Sequence, residues 1–149
     1  MTTSRGARTP RELLATFVAQ VAARDVAGIA GSYAADAVVS LPHGREATGS
    51  AAIRAAYAAA LAAGARLAVD ARADESADES MVGAVVQAVV DGARVIETGP
   101  LSMVSFTGVD GGVRTLLAWR GESGWAWVRD GSMLRDVEAA LGTGLSDVA

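Results

Sequence analysis

Apolar residues recur at helical spacing through the first third of the chain, and then the period changes. Thr9-Pro10-Arg11-Glu12 reads as a helix start. Thr9 is a hydroxyl cap, Pro10 lacks an N–H where none would find a partner, and Glu12 is placed to complete a capping box. Leu13, Phe17 and Val21 repeat every four residues with Leu14 and Val18 beside them, which gives one apolar face. Asp25 caps a second, short helix in which Val26, Ile29 and Tyr33 share a face. Ala37–Leu41 is predicted as a short strand stopped by Pro42, with a loop over 43–49. Ser50 then caps a third helix, with Ile53, Tyr57 and Leu61 on one side and Gly64 at its end.

From residue 66 the pattern reads as extended. Residues 66–74, 81–90, 93–107 and 113–120 are predicted as four strands. The acidic segment 73–80, Asp91-Gly92 and Asp110-Gly111-Gly112 join them, and Asp-Gly between apolar runs is a hairpin signal. Gly124–Val128 finishes a strand or forms a rim. Ser132 opens an amphipathic helix over 132–142, with Met133, Leu134, Val137 and Leu141 on one side. That helix either packs on its own domain or serves as a lid or partner-binding element. Helices followed by an antiparallel meander argue for an α+β fold.

Composition narrows the chemistry. The 149 residues, 51% hydrophobic and 20% charged, suit one globular domain over 1–149 with a core of about 9–128. A net charge of −4 gives no basic excess to displace counterions, so nucleic acid is not an expected partner. No apolar run reaches the ~20 residues of a membrane span, and the start lacks a secretory pattern, so a cytoplasmic protein is expected. Cysteine, lysine and asparagine are absent and His43 is the single histidine. Thiol nucleophiles, Schiff-base chemistry and a multi-histidine metal site are thereby excluded, and neither metal nor cofactor is expected. The tandem Ala-Asp-Glu-Ser at 73–80 lacks the glycine and terminal glutamate of a calcium loop and reads as a solvated turn.

Several blocks carry a family likeness: Arg24-Asp25-Val26-Ala27-Gly28-Ile29, Tyr33-Ala34-Ala35-Asp36-Ala37, Thr48-Gly49-Ser50-Ala51-Ala52-Ile53-Arg54 with Tyr57, and Gly99-Pro100-Leu101. With their spacing over about 10–121, the chain resembles the nuclear transport factor 2-like superfamily, and within it the ketosteroid isomerase and SnoaL-like branches. The resemblance implies a cone-shaped, curved antiparallel sheet closed by three N-terminal helices, with the C-terminal helix in addition. It also implies a pocket between helices and concave face, and dimerisation through the outer face. The isomerases work with a carboxylate base and two oxyanion donors. Carried over by register, the tyrosine donor falls on Phe17, the base on Leu41 and the second donor on Ser102. Phe17 and Leu41 have no proton to give or take, so the resemblance implies the fold without isomerase chemistry. The Trp-Arg-Asp run of limonene epoxide hydrolase is here Trp119-Arg120-Gly121, so its pocket aspartate is missing.

Strand alternation then selects the pocket lining. With Ser102 inward, Ile96, Thr98, Pro100, Val104 and Phe106 follow. The family register turns Val82, Ala84, Val86, Ala88 and Val90 inward, and Met81, Val85, Val89 and Met103 outward. Two registers compete on 113–120, and Trp119 with Thr115 and Leu117 is preferred inside over Leu116, Ala118 and Arg120. His43, two positions after Leu41, is the candidate acid/base, with a loop histidine in solvent or bonded to Glu46 as its bland alternative. Tyr33 and Tyr57 match aromatic positions behind the isomerase tyrosine, as packing residues or as participants. Two functions follow for test. One is a protein binding a small hydrophobic, polycyclic or polyketide-like molecule; the other is a SnoaL-like enzyme of secondary metabolism using His43. A small dimerisation domain with an incidental cavity is a third.

Overall fold

The computed structural model describes residues 7–68 and 79–141, with side chains described from residue 82 in the second stretch. The first three helices form where their patterns place them. Helix α1 (Pro10–Ala22) has Thr9 as its cap, whose side chain accepts from the Glu12 N–H at 3.0 Å. The Glu12 carboxylate reaches back to the Arg8 N–H rather than to Thr9. Helix α2 (Val26–Gly31) is capped by Asp25, which accepts from the Gly28 N–H at 3.0 Å. Helix α3 (Ser50–Ala62) starts one residue after its cap, Gly49, whose φ of +87° would strain a side chain. Leu13, Leu14, Phe17, Val18 and Val21 of α1, Ile29 of α2 and Ile53 and Tyr57 of α3 are all buried.

Strand β1 spans Tyr33–Ser40, so Tyr33 opens a strand instead of sharing the face of α2. The expected loop after it holds a short 3-10 turn at Pro42–Gly44 and a three-residue strand, β2 (Glu46–Thr48), antiparallel to β1.

The second half departs from the predicted meander. Residues 81–90 are not a strand but lie in helix α4 (Glu79–Asp91). Val82, Val85/Val86 and Val89/Val90 satisfy the helical period as well as the extended one. Packing against α1 decides between them and overrides valine's β preference. Val89 and Val90 are buried while Ala84, Gln87 and Ala88 face outward, so the expected inward row of Val82 to Val90 does not exist. Arg11 ties the two helices, donating to the Val90 and Ala93 carbonyls at the end of α4.

The 93–107 run divides at Gly99-Pro100 into β3 (Arg94–Thr98) and β4 (Leu101–Thr107). A φ of +59° at Gly99 followed by proline makes the tight primed turn that joins antiparallel strands. Strand β5 (Val113–Gly121) follows the Asp110–Gly112 turn. There the Asp110 carboxylate accepts from the Gly112 N–H and from Arg114, which together hold it below the usual carboxylate range. The chain continues into a further strand, β6 (Gly124–Asp130), which lies antiparallel to β5 and parallel to β1.

These strands form one six-stranded mixed sheet in the order β2-β1-β6-β5-β4-β3. The expected cone is corrected on this point: among the described residues the sheet is open, with β2 and β3 as unjoined edges, and the fourth helix is α4 rather than a C-terminal one. The predicted C-terminal helix over 132–142 is also corrected. Among the described residues of that segment only Glu138–Leu141 coils, as a 3-10 turn. Ser132 is held by the Asp130 carboxylate and by both backbone groups of Thr115, which pins the chain across β5 before a helix can start. Met133 and Leu134 are nonetheless buried. The 66–74 strand and the tandem acidic repeat fall largely outside the described residues. No helix among the described residues is long and apolar enough to cross a membrane.

Candidate functional site

Cross-strand register fixes which side chains share the helix-facing side of the sheet. Ser102 pairs with Ala118, Ala118 with Trp127, and Trp127 with Tyr33. The next row runs Val104, Leu116, Asp130 and Val39. All eight are buried under the helices. This corrects the expected face of 113–120: Leu116 and Ala118 point inward, while Trp119, paired with Leu101 and 47% exposed, points outward. The long ring did not decide the register; pairing with Ser102 did. Thr98, across from Leu101 at the end of β3, is likewise exposed and outside the core.

At the centre of the buried face stands a polar chain that crosses the fold. The Tyr33 hydroxyl donates to Asp130 Oδ2 at 2.8 Å and lies 2.7 Å from the Tyr57 hydroxyl. Asp130 Oδ1 accepts from the N–H groups of Ser132 and Met133, at 2.9 and 3.0 Å. A tyrosine has one proton to donate. With Tyr33 spending it on the carboxylate, Tyr57 is the donor to Tyr33, and its own oxygen offers lone pairs. Burial pushes the Asp130 carboxyl above its ordinary range, against the opposing pull of the Ser132 and Met133 N–H groups and the Tyr33 hydroxyl. Burial, reinforced by the Asp130 charge, pushes both phenols well up, so neither ionises near neutrality. Phe17 closes the cluster edge-on, 5.9 Å from the Tyr33 ring and 5.6 Å from Trp127.

Of the residues expected from sequence, Phe17, Tyr33 and Tyr57 therefore meet in one cluster, and Leu41 and Ser102 lie in the same buried core. Val86 sits on α4, partly buried against that core. His43 stands apart on the surface in a left-handed conformation, φ +61°. Its Nε2 is 2.6 Å from Glu138, not Glu46, and its side chain is 66% exposed. Trp119 instead lines an open groove of about 830 Å³ with Trp125, Glu12, Thr16 and Gln20. Asp130 and Trp127 were not among the sequence candidates. The Asp130-Gly131-Ser132 triplet carries a turn signal, but nothing local shows that the carboxylate is buried.

Three buried polar atoms on this face have no hydrogen-bond partner: Ser102 Oγ, Trp127 Nε1 and Arg114 Nε. Ser102 and Trp127 thus leave two neutral donors unspent in the core. The arrangement has little means to move a proton, because its one carboxylate is already committed to three donors. The described residues contain no cluster of ligating side chains suited to a metal ion.

No family model matches this chain, and no curated protein matches it. Solved structures do share its fold. One is an NTF2-like protein with a cystatin-like fold from Novosphingobium aromaticivorans, 17% identical over 88% of this chain and 85% of that one, with a TM-score of 0.51. Another is Aln2 from a Streptomyces species, 18% identical over 84% and 86%, with a TM-score of 0.50. At these identities the likeness establishes the fold and leaves the chemistry to the residues.

Proposed function

We propose that this protein binds a small, largely apolar ring molecule between its helices and the sheet, and does not isomerise ketosteroids. The observation that carries the reading is the composition of the buried face. Phe17 and Leu41 present only carbon where the isomerase resemblance would set a donor and a base. Of the proton-bearing groups that remain, Tyr57, Tyr33 and Asp130 are spent on one another, and Ser102 and Trp127 supply neutral donors but no base. An apolar surface with a few convergent polar atoms is what a small-molecule site requires. The alternative of acid–base catalysis at His43 gains no support from a side chain on the surface and paired with Glu138. Native mass spectrometry of freshly purified protein tests the reading. A bound mass of a few hundred daltons that denaturation removes is expected. Protein free of ligand that also takes up no ring compound in titration would refute it.

We also propose that two copies pair through the outer sheet face. Outward positions of β4 and β5 are Leu101, Met103, Ser105, Thr107, Val113, Thr115, Leu117 and Trp119, with no charge among them. An antiparallel face that is uncharged over β4 and β5, with Arg94 of β3 and the Arg129–Glu46 pair flanking it, calls for a cover, and a second copy presents the same surface. Three of the residues expected on that face, Met81, Val85 and Val89, belong to α4 instead, so Met103 and Trp119 are its anchors.

A further inference from the structure

We propose that the open groove beside Trp119 is a second binding site, for an ammonium cation carried on a short apolar body. It lies outside the buried face described above and does not depend on the binding reading given to that face. A double irregularity in the sheet builds it. Between Tyr33 and Val38 strand β1 takes five steps while β6 takes two, from Trp127 to Arg129, so three extra residues of β1 leave the ladder. The pairing of β5 with β6 shifts at the same place, between Leu117 and Ala118, and passes over Val128. The displaced residues Ala34, Ala35 and Asp36 line the groove of about 830 Å³ on the β1 side, with Ala126 and Val128 of β6 next to them. Trp119, the cross-strand partner of Ala126, lines it from β5. One strand with apolar side chains therefore separates the indole from the strand that carries Asp36, a span of about 10 Å between backbones.

The lining selects the charge of the ligand. Among the described residues its charged side chains are Glu12 and Asp36, both acidic. Asp36 has no hydrogen-bond or ion-pair partner among those residues, and Glu12 has only the Arg8 N–H, at 3.3 Å. A cleft walled by one sign of charge concentrates the opposite one, so cations are gathered and anions repelled. The indoles agree. Trp125, also in the lining, already has a cation on its ring, the Arg120 guanidinium 5.9 Å from the centroid. Trp119 is 47% exposed, and among the described residues no cation lies over it. A bare indole face attracts an ammonium group through the ring quadrupole, and Asp36 answers the same charge from across β6. A neutral ring would use the indole and leave both carboxylates unanswered, whereas an ammonium on an apolar body engages indole, strand and carboxylate together.

The test compares choline with 3,3-dimethylbutan-1-ol, its neutral isostere with carbon in place of nitrogen, by proton NMR titration of the intact protein. Choline should bind about tenfold more tightly, as one cation–indole contact and one exposed ion pair imply. Its methyl signal should move upfield, because the ring current of an indole shields a group held over its face. Trp119→Leu should abolish that movement. Asp36→Asn should keep it and cut the preference for choline by about threefold, and Asp36→Glu, which keeps the charge, should restore the preference. Both positions are exposed, so the circular dichroism of all three variants should match native. Trp119 also borders the face assigned to pairing, so the titration is repeated over a range of protein concentration, and the affinity should not vary with it. Equal binding of the two probes, an upfield movement that survives Trp119→Leu, an Asp36→Asn variant as selective as native, or affinity that follows protein concentration overturns the site. So does the absence of saturable choline binding. None of these results touches the ring-compound reading, which native mass spectrometry decides.

Discussion

Replacing Asp130 by asparagine and by alanine should give opposite outcomes. Alanine leaves three donors without their acceptor: the buried Met133 N–H and Tyr33 hydroxyl and the half-buried Ser132 N–H. At about 1–3 kcal/mol each the sum would be about 3–9 kcal/mol. Relief of the buried charge and turning of Tyr33 toward Tyr57 offset part of that. We expect a loss of about 3 kcal/mol, a large share of the 5–15 kcal/mol typical of a domain. Asparagine keeps an oxygen for the two N–H groups and turns its amide N–H toward Tyr33. Tyr33 then donates to Tyr57 and the chain reverses, leaving the Tyr57 proton and one amide N–H without an acceptor, a cost offset by relief of the buried charge. Its stability at neutral pH should lie within about 1 kcal/mol of native.

The pH dependence carries the sign. The folded Asp130 pKa is raised, so the native state holds its proton to higher pH than the unfolded chain does. The stability tied to that proton is fully present below the unfolded value of ~3.9 and is lost as pH rises through the folded value. Asp130→Asn lacks this loss, so its stability should gain on native as pH climbs out of the acid range. Urea unfolding followed by tryptophan fluorescence, at fixed protein concentration and several pH values, measures all three proteins. An asparagine variant as damaged as the alanine one would refute the reversible chain. So would an alanine variant within about 1 kcal/mol of native, on the scale of one ordinary hydrogen bond.

Met103, 39% exposed on the outer face, is the handle for self-association: Met103→Glu should turn a dimer into a monomer in light scattering with the circular dichroism unchanged, and a native chain already monomeric at micromolar concentration would dismiss the interface. His43→Asn tolerates the left-handed backbone and removes an exposed contact with Glu138, so stability should move by no more than ~0.5 kcal/mol and ring-compound affinity not at all; loss of affinity would put His43 in the site. The unmodified protein should not shift the double bond of a 3-oxo-Δ5 steroid above background, since a missing base removes about 10²–10⁴-fold and each missing oxyanion donor about 10²–10³-fold. Clear turnover in an ultraviolet assay would show that the catalytic positions lie elsewhere.

Local signals determined a good part of this protein. Thr9 and Asp25 cap the helices their side chains predict, and the four-residue repeats of Leu13, Phe17 and Val21, and of Ile53 and Tyr57, face the core. In each case the cap and the apolar stripe agree within one turn, so neighbours in sequence suffice. The grouping of Tyr33 and Tyr57 behind Phe17 came from the family resemblance, since the local pattern placed Tyr33 on the face of α2 and the structure places it in β1. Tertiary structure decided the rest. The valines of 81–90 fit either period, and only α1 lying alongside makes them a helix. Which face of β5 is buried follows from hydrogen bonding to β4, because alternation supplies two equivalent answers and a large aromatic ring on the wrong one, Trp119, misleads. Asp130 depends on contact across the whole chain: its hydroxyl partner Tyr33 is 97 residues away, reached through a parallel β1–β6 pairing that no local pattern encodes. A buried carboxylate is stable only where distant donors converge on it, and that convergence is a property of the folded chain rather than of any stretch of its sequence.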